Sequence, residues 1–159
     1  LVVDLDETLI HHSKLDPTGD QHPGPDRFQV PTKQGTLLVL VRPWAREFVA
    51  SVARGFTVIV FTAGSEEYAQ GIVKYLDPYG DKIYTHLSYE ACTQVAWFGR
   101  PTDGSQTKDL TKVVTDLSRV LLVDNTVGCF DEQPDNGILI RGWNGEAEDS
   151  ELPRLEHLL

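Results

Sequence analysis

The stretch Leu1-Val2-Val3-Asp4-Leu5-Asp6-Glu7-Thr8 decides how this chain reads. Leu1, Val2 and Val3 form a short apolar run of the kind that lies buried on both faces of a parallel sheet. The run stops at two carboxylates two residues apart. In an extended chain that spacing sends both acids to one side and Leu5 to the other. Open parallel sheets bind ligands in the crevice outside the carboxyl ends of their strands. Two acids aimed into such a crevice repel, so either a cation stands close or one acid keeps its proton. Either state suits chemistry on a phosphate ester. An isolated Asp-x-Asp also occurs as a turn cap after an edge strand; the fully apolar strand before it and Thr8 after it favour a site.

At 159 residues the chain reads as one domain, 1–159, with room for a sizeable core. Its 40% hydrophobic and 24% charged residues are ordinary for a globular protein, and no low-complexity tract or internal repeat stands out. The longest apolar runs, 36–41 and 58–61, fall far short of a membrane span, so no direct membrane contact is expected of this domain. A net charge of −10, with Lys and Arg scattered singly, argues against a nucleic-acid groove. A phosphate ligand would then need a metal to offset the negative potential. The acids at Glu146, Glu148, Asp149 and Glu151 read as a solvated face. Cys92 and Cys129 are far apart, in no metal-type spacing and without a Cys-x5-Arg signature, which suits two reduced, buried thiols. The chain lacks methionine and opens inside a strand, so it reads as a fragment of something longer. No targeting segment is visible, and the compartment stays open between nucleus, cytosol and mitochondrion.

Outward from the first strand, the Pro/Gly-punctuated segment 9–26 reads as loop, with His11 and His12 exposed on it. Phe28–Val30 and Thr36–Val41 read as a hairpin turned at Lys33-Gln34-Gly35, able to form a flap. Arg42-Pro43 opens a helix that buries Trp44, Phe48, Val49 and Val52 and ends at Gly55. A second buried strand, 56–61, stops at Thr62-Ala63-Gly64. Ser65-Glu66-Glu67 begins a helix with Tyr68, Ile72 and Leu76 inward. Strands follow at 83–87, 119–123 and 138–140, with a short helical stretch after Lys108-Asp109-Leu110 that runs to Leu117 and a closing helix from Ser150 that turns Leu152, Leu155, Leu158 and Leu159 inward. Between them, 77–107 holds a hairpin-like insertion carrying Trp97 and Phe98, which either grip a peptide or form a minor cluster under a loop. Strands alternating with helices predict an α/β fold: a mostly parallel central sheet with helices on both faces.

Three core strands then end in polar groups facing one crevice: Asp4/Asp6, Thr62 and Asp124/Asn125. Together they describe metal-assisted phosphoryl transfer through an aspartyl phosphate. Mg²⁺ suits carboxylate, carbonyl and water oxygens, and Asp4, the Asp6 carbonyl and Asn125 or Asp124 supply them. Asp6 protonates the leaving oxygen and then deprotonates water. Thr62, which would otherwise cap the next helix, and Lys108, which alone would read as a surface lysine, bind the phosphoryl oxygens.

Asp4-Leu5-Asp6-Glu7-Thr8, Phe61-Thr62-Ala63, Lys108-Asp109-Leu110 and Leu122-Val123-Asp124-Asn125 resemble, in order, the motifs of the haloacid-dehalogenase superfamily, and more narrowly the Fcp/Scp-type phosphatase domain. Glu7, Val41-Arg42-Pro43 and Gln133-Pro134-Asp135-Asn136 are similar to further signatures of that narrower group. The resemblance covers essentially the whole chain. It implies a haloacid-dehalogenase-like three-layer fold and a Mg²⁺-dependent phosphatase acting on phosphoserine or phosphothreonine in a protein or peptide. By matched position it implies Asp4 as nucleophile, Asp6 as acid/base, Thr62 and Lys108 as phosphate ligands, and Asp4, Asp6, Asp124 and Asn125 at the metal. Thr8, Arg42, Ala63, Gly64 and Tyr68 fall at substrate-side positions; the helical spacing of Tyr68 equally suits the core. Where polymerase-tail phosphatases of this group build an apolar pocket, this chain has Lys14 and Ser65, so tail specificity is not implied. Leu76-Asp77-Pro78 and the run 143–149 resemble the phosphatase-like subunit of the mitochondrial presequence translocase, whose implied role is a receptor for incoming chains with translocase partners. Insert 77–107 is too short for the cap that shuts small-metabolite sites, which leaves an open crevice for a protein substrate.

Overall fold

The computed structural model describes residues 1–13, 26–97 and 100–159, without the side chains of Ser13 and of 95–105. Strand β1 (Val2–Val3) has two residues because Asp4 ends the apolar run, yet it takes the centre of the main sheet. The chain then runs through β2 (Ile10–Ser13), β3 (Arg27–Thr32), β4 (Gly35–Val41), α1 (Ala45–Val52), β5 (Val58–Phe61), α2 (Glu66–Leu76) and β6 (Ile83–Leu87). The hairpin β7 (Thr93–Trp97) and β8 (Arg100–Thr107) follows, then β9 (Leu122–Asp124), β10 (Gly137–Leu139) and α3 (Glu151–Leu158). The main sheet has five parallel strands in the order β10-β9-β1-β5-β6. From β1 the chain builds outward on one side through β5 and β6, then returns to the other side for β9 and β10. The strand order therefore reverses at β1, and Asp4 and Asp6 stand at the carboxyl end of that switch point.

Strand alternation splits the core in two. Val3, Val58, Val60 and Val123 face one side, where Phe48 and Val49 of α1, Ala69 and Ile72 of α2 and Leu152 and Leu155 of α3 pack against them. Val2, Phe61 and Leu122 face the other, with Ile59 beside them. There the cover is Leu110, Val120 and Phe130, carried on or beside short 3₁₀ helices. Helices thus lie on both faces, but the described α-helices all pack on one. Each fully buried Leu, Ile or Phe contributes roughly 1.5–3 kcal/mol.

Local chemistry sets the helix ends. Ser65 caps α2 by accepting the Tyr68 amide at 3.4 Å, with Glu66 and Glu67 in the first turn. Asp77 stops it, its buried carboxylate taking the amides of Gly80, Asp81, Lys82 and Ile83. Trp44, ahead of α1, sits at φ 70° with its ring half in solvent rather than buried.

Several boundaries differ from the sequence reading. Residues 10–13, expected as loop, form β2 and pair antiparallel with β4, Ile10 opposite Val41 and His12 opposite Val39. Only Ile10 in that run is a large apolar residue, so its alternation was invisible. The remainder of the expected loop, including Lys14, lies outside the described residues. β3 and β4 form the expected flap hairpin, turned at Lys33-Gln34. In place of the helical stretch expected between Leu110 and Leu117 stand two 3₁₀ turns, Leu110–Lys112 and Leu117–Arg119, capped by Asp109 and Asp116. Leu158 points to solvent, because the inward stripe of α3 runs through Leu152, Leu155 and Leu159. Within the insertion, Phe98 and the Trp97 side chain lie outside the described residues. Among the described residues no helix is long and apolar enough to cross a membrane.

Candidate active site

Four separate pieces of chain converge at the carboxyl end of β1. Asp4 follows β1 directly and is buried, with its backbone amide donating to Val123 O at 3.0 Å. Asp124 ends the neighbouring β9 and is also buried. Lys108, just beyond β8, reaches between them: Nζ donates to Asp4 Oδ1 at 2.5 Å and to Asp124 Oδ2 at 2.6 Å. The remaining Asp124 oxygen, Oδ1, accepts the Thr126 amide at 2.8 Å. Asn125 is held from behind by Thr8, whose Oγ1 donates to Asn125 Oδ1 at 3.3 Å.

Asp6 faces different company. Its Oδ1 accepts the Tyr68 hydroxyl at 2.6 Å and lies 3.3 Å from His12 Nδ1; its Oδ2 accepts the Thr62 hydroxyl at 3.1 Å. Thr62 Oγ1 in turn accepts the Gly64 amide at 2.9 Å. The approach is close: a Cβ at Gly64 would stand 2.5 Å from the Tyr68 ring and 3.2 Å from Thr62 Oγ1, so a side chain there would push the ring aside.

The electrostatics of the two acids diverge. Burial raises the Asp4 carboxyl to about 7, with Asp124 and Asp6 adding to the rise and the Lys108 charge opposing it. Burial also raises Asp6, but hydrogen bonds from His12, Tyr68 and Thr62 outweigh it and hold Asp6 below the usual carboxylate range. Burial works against the Lys108 charge, and Asp4 and Asp124 more than compensate, so it stays an ammonium. The Asp6 carboxylate pushes His12 up.

Two cavities meet at this point. One of about 250 Å³ is lined by Asp4, Asp6, Ala63, Lys108, Asp124 and Asn125, together with Gln106, Cys92 and Cys129. Gln106 Oε1 is buried there, with no hydrogen-bond partner among the described residues. The other, of about 710 Å³, runs from Asp6, His12, Ala63 and Tyr68 out between the β3–β4 turn and the start of α2. Asp6 and Ala63 line both.

The donor set can be weighed for Mg²⁺. Among the described residues no three His, Cys, Asp or Glu side chains gather as a metal cluster. The cavity instead offers the carboxylates of Asp4, Asp6, Glu7 and Asp124, the Asn125 amide and the Gln106 side-chain oxygen. Oxygen donors of this kind fit a small hard cation that keeps several waters.

Residues 1–159 match the family described as NLI interacting factor-like phosphatase. The chain belongs to that family. CTD small phosphatase-like protein 3 of Caenorhabditis elegans is 37% identical over 155 residues, 98% of this chain and 51% of its own. The human CTD small phosphatase-like protein is 33% identical over 156 residues, 96% of this chain and 51% of its own. The chain thus spans about half the length of these relatives. The structure of Fcp1, an essential RNA polymerase II CTD phosphatase, shares the fold with a TM-score of 0.77 at 20% identity, over 99% of this chain and 60% of that one. These names side with the phosphatase resemblance rather than with a translocase receptor.

For this NLI interacting factor-like domain, the structure brings Asp4, Asp6, Ala63, Lys108, Asp124 and Asn125 to one cavity and ties Thr62 to Asp6. Gly64 and Tyr68 line the adjoining groove. The two readings of Tyr68 merge, since its ring is buried while its hydroxyl reaches Asp6. Two substrate-side expectations are corrected. Arg42 is fully buried, paired with Asp149 at 2.7 Å and donating to Thr8 O and Arg141 O, and it lines neither cavity. Thr8 is fully buried as well and acts through Asn125. Residues missed in the sequence are His12, Gln106, and the two cysteines as cavity lining, held as thiols because burial pushes both up. The pairing of β2 with β4, which carries His12 to Asp6, had no local signal.

Proposed function

We propose that this domain is a Mg²⁺-dependent protein serine/threonine phosphatase that works through an aspartyl phosphate on Asp4. The observation that carries the reading is the single cavity in which Asp4, Lys108 and Asp124 interlock while Asp6 and Thr62 face it from the neighbouring wall. Lys108 binds Oδ1 of Asp4, which leaves Oδ2 to attack phosphorus. As the O–P bond to Asp4 forms, the bond to the leaving oxygen breaks, and Asp6, an anion in the free site that takes up a proton from the monoanionic ester, passes it to that oxygen. Asp6, now a carboxylate, takes a proton from water; the water oxygen attacks phosphorus, phosphate departs and Asp4 is restored. Thr62 and Lys108 donate to phosphoryl oxygens where charge accumulates. Asp4, the Asp6 carbonyl, Asp124 and Asn125 would hold Mg²⁺, which when bound offsets the charge of the acids and the ester and draws Asp4 into its carboxylate form. The groove beside Asp6 is open to the surface and wide enough for a phosphorylated side chain on a polypeptide, in keeping with the names of the relatives.

The test is hydrolysis of p-nitrophenyl phosphate and a phosphoserine peptide with and without Mg²⁺. Turnover is expected only with the metal, and Asp4→Asn should remove it by about 10⁴-fold or more at unchanged circular dichroism. Wild-type turnover by Asp4→Asn would refute the assignment.

A further inference from the structure

We infer that Gln106, near the end of the insertion hairpin, is a positioning residue for the metal: its side-chain oxygen accepts from a water molecule that Mg²⁺ carries. The inference rests on the phosphatase reading above and extends its metal site to a residue that does not touch the ion.

Strand β8 ends at Thr107, and Gln106 and Lys108 stand on either side of it. Along an extended chain two such residues share one face while the residue between them turns to the other. Thr107 is accordingly buried, and Gln106 and Lys108 both line the cavity of about 250 Å³. The strand end is fastened to the 3₁₀ turn Val127–Phe130, the Lys108 amide donating to Cys129 O at 3.2 Å and Thr107 Oγ1 to the same oxygen at 3.5 Å. Lys108 finds two carboxylates in the cavity, but Gln106 Oε1 finds nothing. Among the described residues it is the one buried side-chain oxygen or nitrogen left without a hydrogen bond. A buried acceptor left unmet is costly, so a partner is called for.

That partner must bring a hydrogen. Nearby donors are engaged elsewhere: Lys108 Nζ with Asp4 and Asp124, the Thr126 amide with Asp124, and the thiols of Cys92 and Cys129 with the carbonyls of Thr62 and Gln106. The ester cannot serve. Once its proton has passed to Asp6, its phosphoryl group presents only acceptor oxygens. A hydrated cation can. Mg²⁺ usually keeps several waters, and a water whose oxygen faces the ion has both hydrogens directed away from it. The ion also polarises that water, which makes it a stronger donor than free water. A cavity of about 250 Å³ has room for the ion and several waters at roughly 30 Å³ each. The hairpin insertion thereby contributes to metal binding through one oxygen of β8.

Calorimetric titration of the substrate-free protein with Mg²⁺ tests this. Gln106→Met keeps the length of the side chain and removes the oxygen. Its Kd for Mg²⁺ is expected to rise by about 10-fold, as for other groups that hold a metal through its ligands, and the Mg²⁺ concentration giving half-maximal hydrolysis of p-nitrophenyl phosphate should rise with it. The metal-free melting temperature should hold or rise, because the side-chain oxygen it removes has no hydrogen bond within the described protein. A fall in that temperature would mark Gln106 as a structural prop and overturn the inference. Gln106→Glu keeps an oxygen at the same reach and should bind Mg²⁺ at least as tightly as the wild type; it decides the matter alone if Gln106→Met unfolds by circular dichroism. A Kd unchanged in Gln106→Met, or raised in Gln106→Glu, would overturn the inference and leave the phosphatase reading in place. A wild-type protein that takes up no Mg²⁺ would instead overturn that reading, and the role of Gln106 with it.

Discussion

Two buried cations in this domain stand in ion pairs of opposite balance. Arg42 and Lys108 are equally hidden, at 1% and 2% exposure. Arg42 meets one carboxylate in a two-point contact, Nε to Asp149 Oδ1 at 2.7 Å and Nη2 to Oδ2 at 2.9 Å, and gives its remaining bonds to backbone carbonyls. Charge balances and a fork of donors is spent. Lys108 instead stands between two carboxylates, a single point charge against two acids, at the wall of a cavity. Negative charge is left over, burial makes it costly, and Asp4 is raised to about 7. The balanced pair ties the end of β4 to the segment leading into α3. The unbalanced set is receptive to a further cation and an anion, which is what phosphoryl transfer requires.

The largest effect should come from the unbalanced side. Lys108→Met is expected to lower kcat on p-nitrophenyl phosphate by roughly 10²–10³-fold, since Asp4 and Asp124 then face each other without a protein cation. Near-normal turnover would show that the lysine is mere support and erase the contrast. Next comes the balanced side. Asp149→Ala strands a buried guanidinium and should cost about 3–5 kcal/mol in a urea titration, while kcat per folded molecule stays within a few-fold. A loss of turnover as deep as that of Lys108→Met would mean that Arg42 also serves the chemistry.

A smaller effect concerns acid stability. Burial raises Asp149, but the Arg42 hydrogen bonds and charge outweigh it and hold its carboxyl below the usual range. A depressed folded value means that the stabilisation is complete above the unfolded value near 3.9 and is lost as pH falls through the lower folded one. The melting temperature of the wild type should therefore drop below about pH 4, and Asp149→Asn should be lower at neutral pH with a shallower acid limb. Parallel curves would remove Asp149 from the account. Smallest of all is Lys33→Ala. Its 2.9 Å pair with Glu67 spans the mouth of the groove in solvent, and the melting temperature should stay within experimental error. A marked drop there would show that exposed charge matters as much as buried charge in this domain.

Much of the fold was legible because burial leaves a local trace. Val2-Val3, Val58–Phe61 and Leu122-Val123 are apolar runs because both faces of their sheet are covered, and each stops at the polar groups that line the crevice. Ser65 with Glu66 and Glu67 announced α2 for the same kind of reason. The 3₁₀ turns after Lys108 were less legible, since Asp109 and Asp116 each cap a turn too short to show a period. The sheet pairing of Ile10–Ser13 left almost no trace.

By itself, then, the sequence determined the order of strands and helices, the carboxylates at the end of β1, and the family, because these depend on residue type and on spacing along the chain. Only the tertiary structure decided which charges meet. It sent Arg42 to Asp149, 107 residues away, and Lys108 to Asp4, 104 residues away, and it brought His12 and Tyr68 to the same oxygen of Asp6. Hydrogen bonds act across about 3 Å of space whatever the separation in sequence, so their partners are fixed by packing.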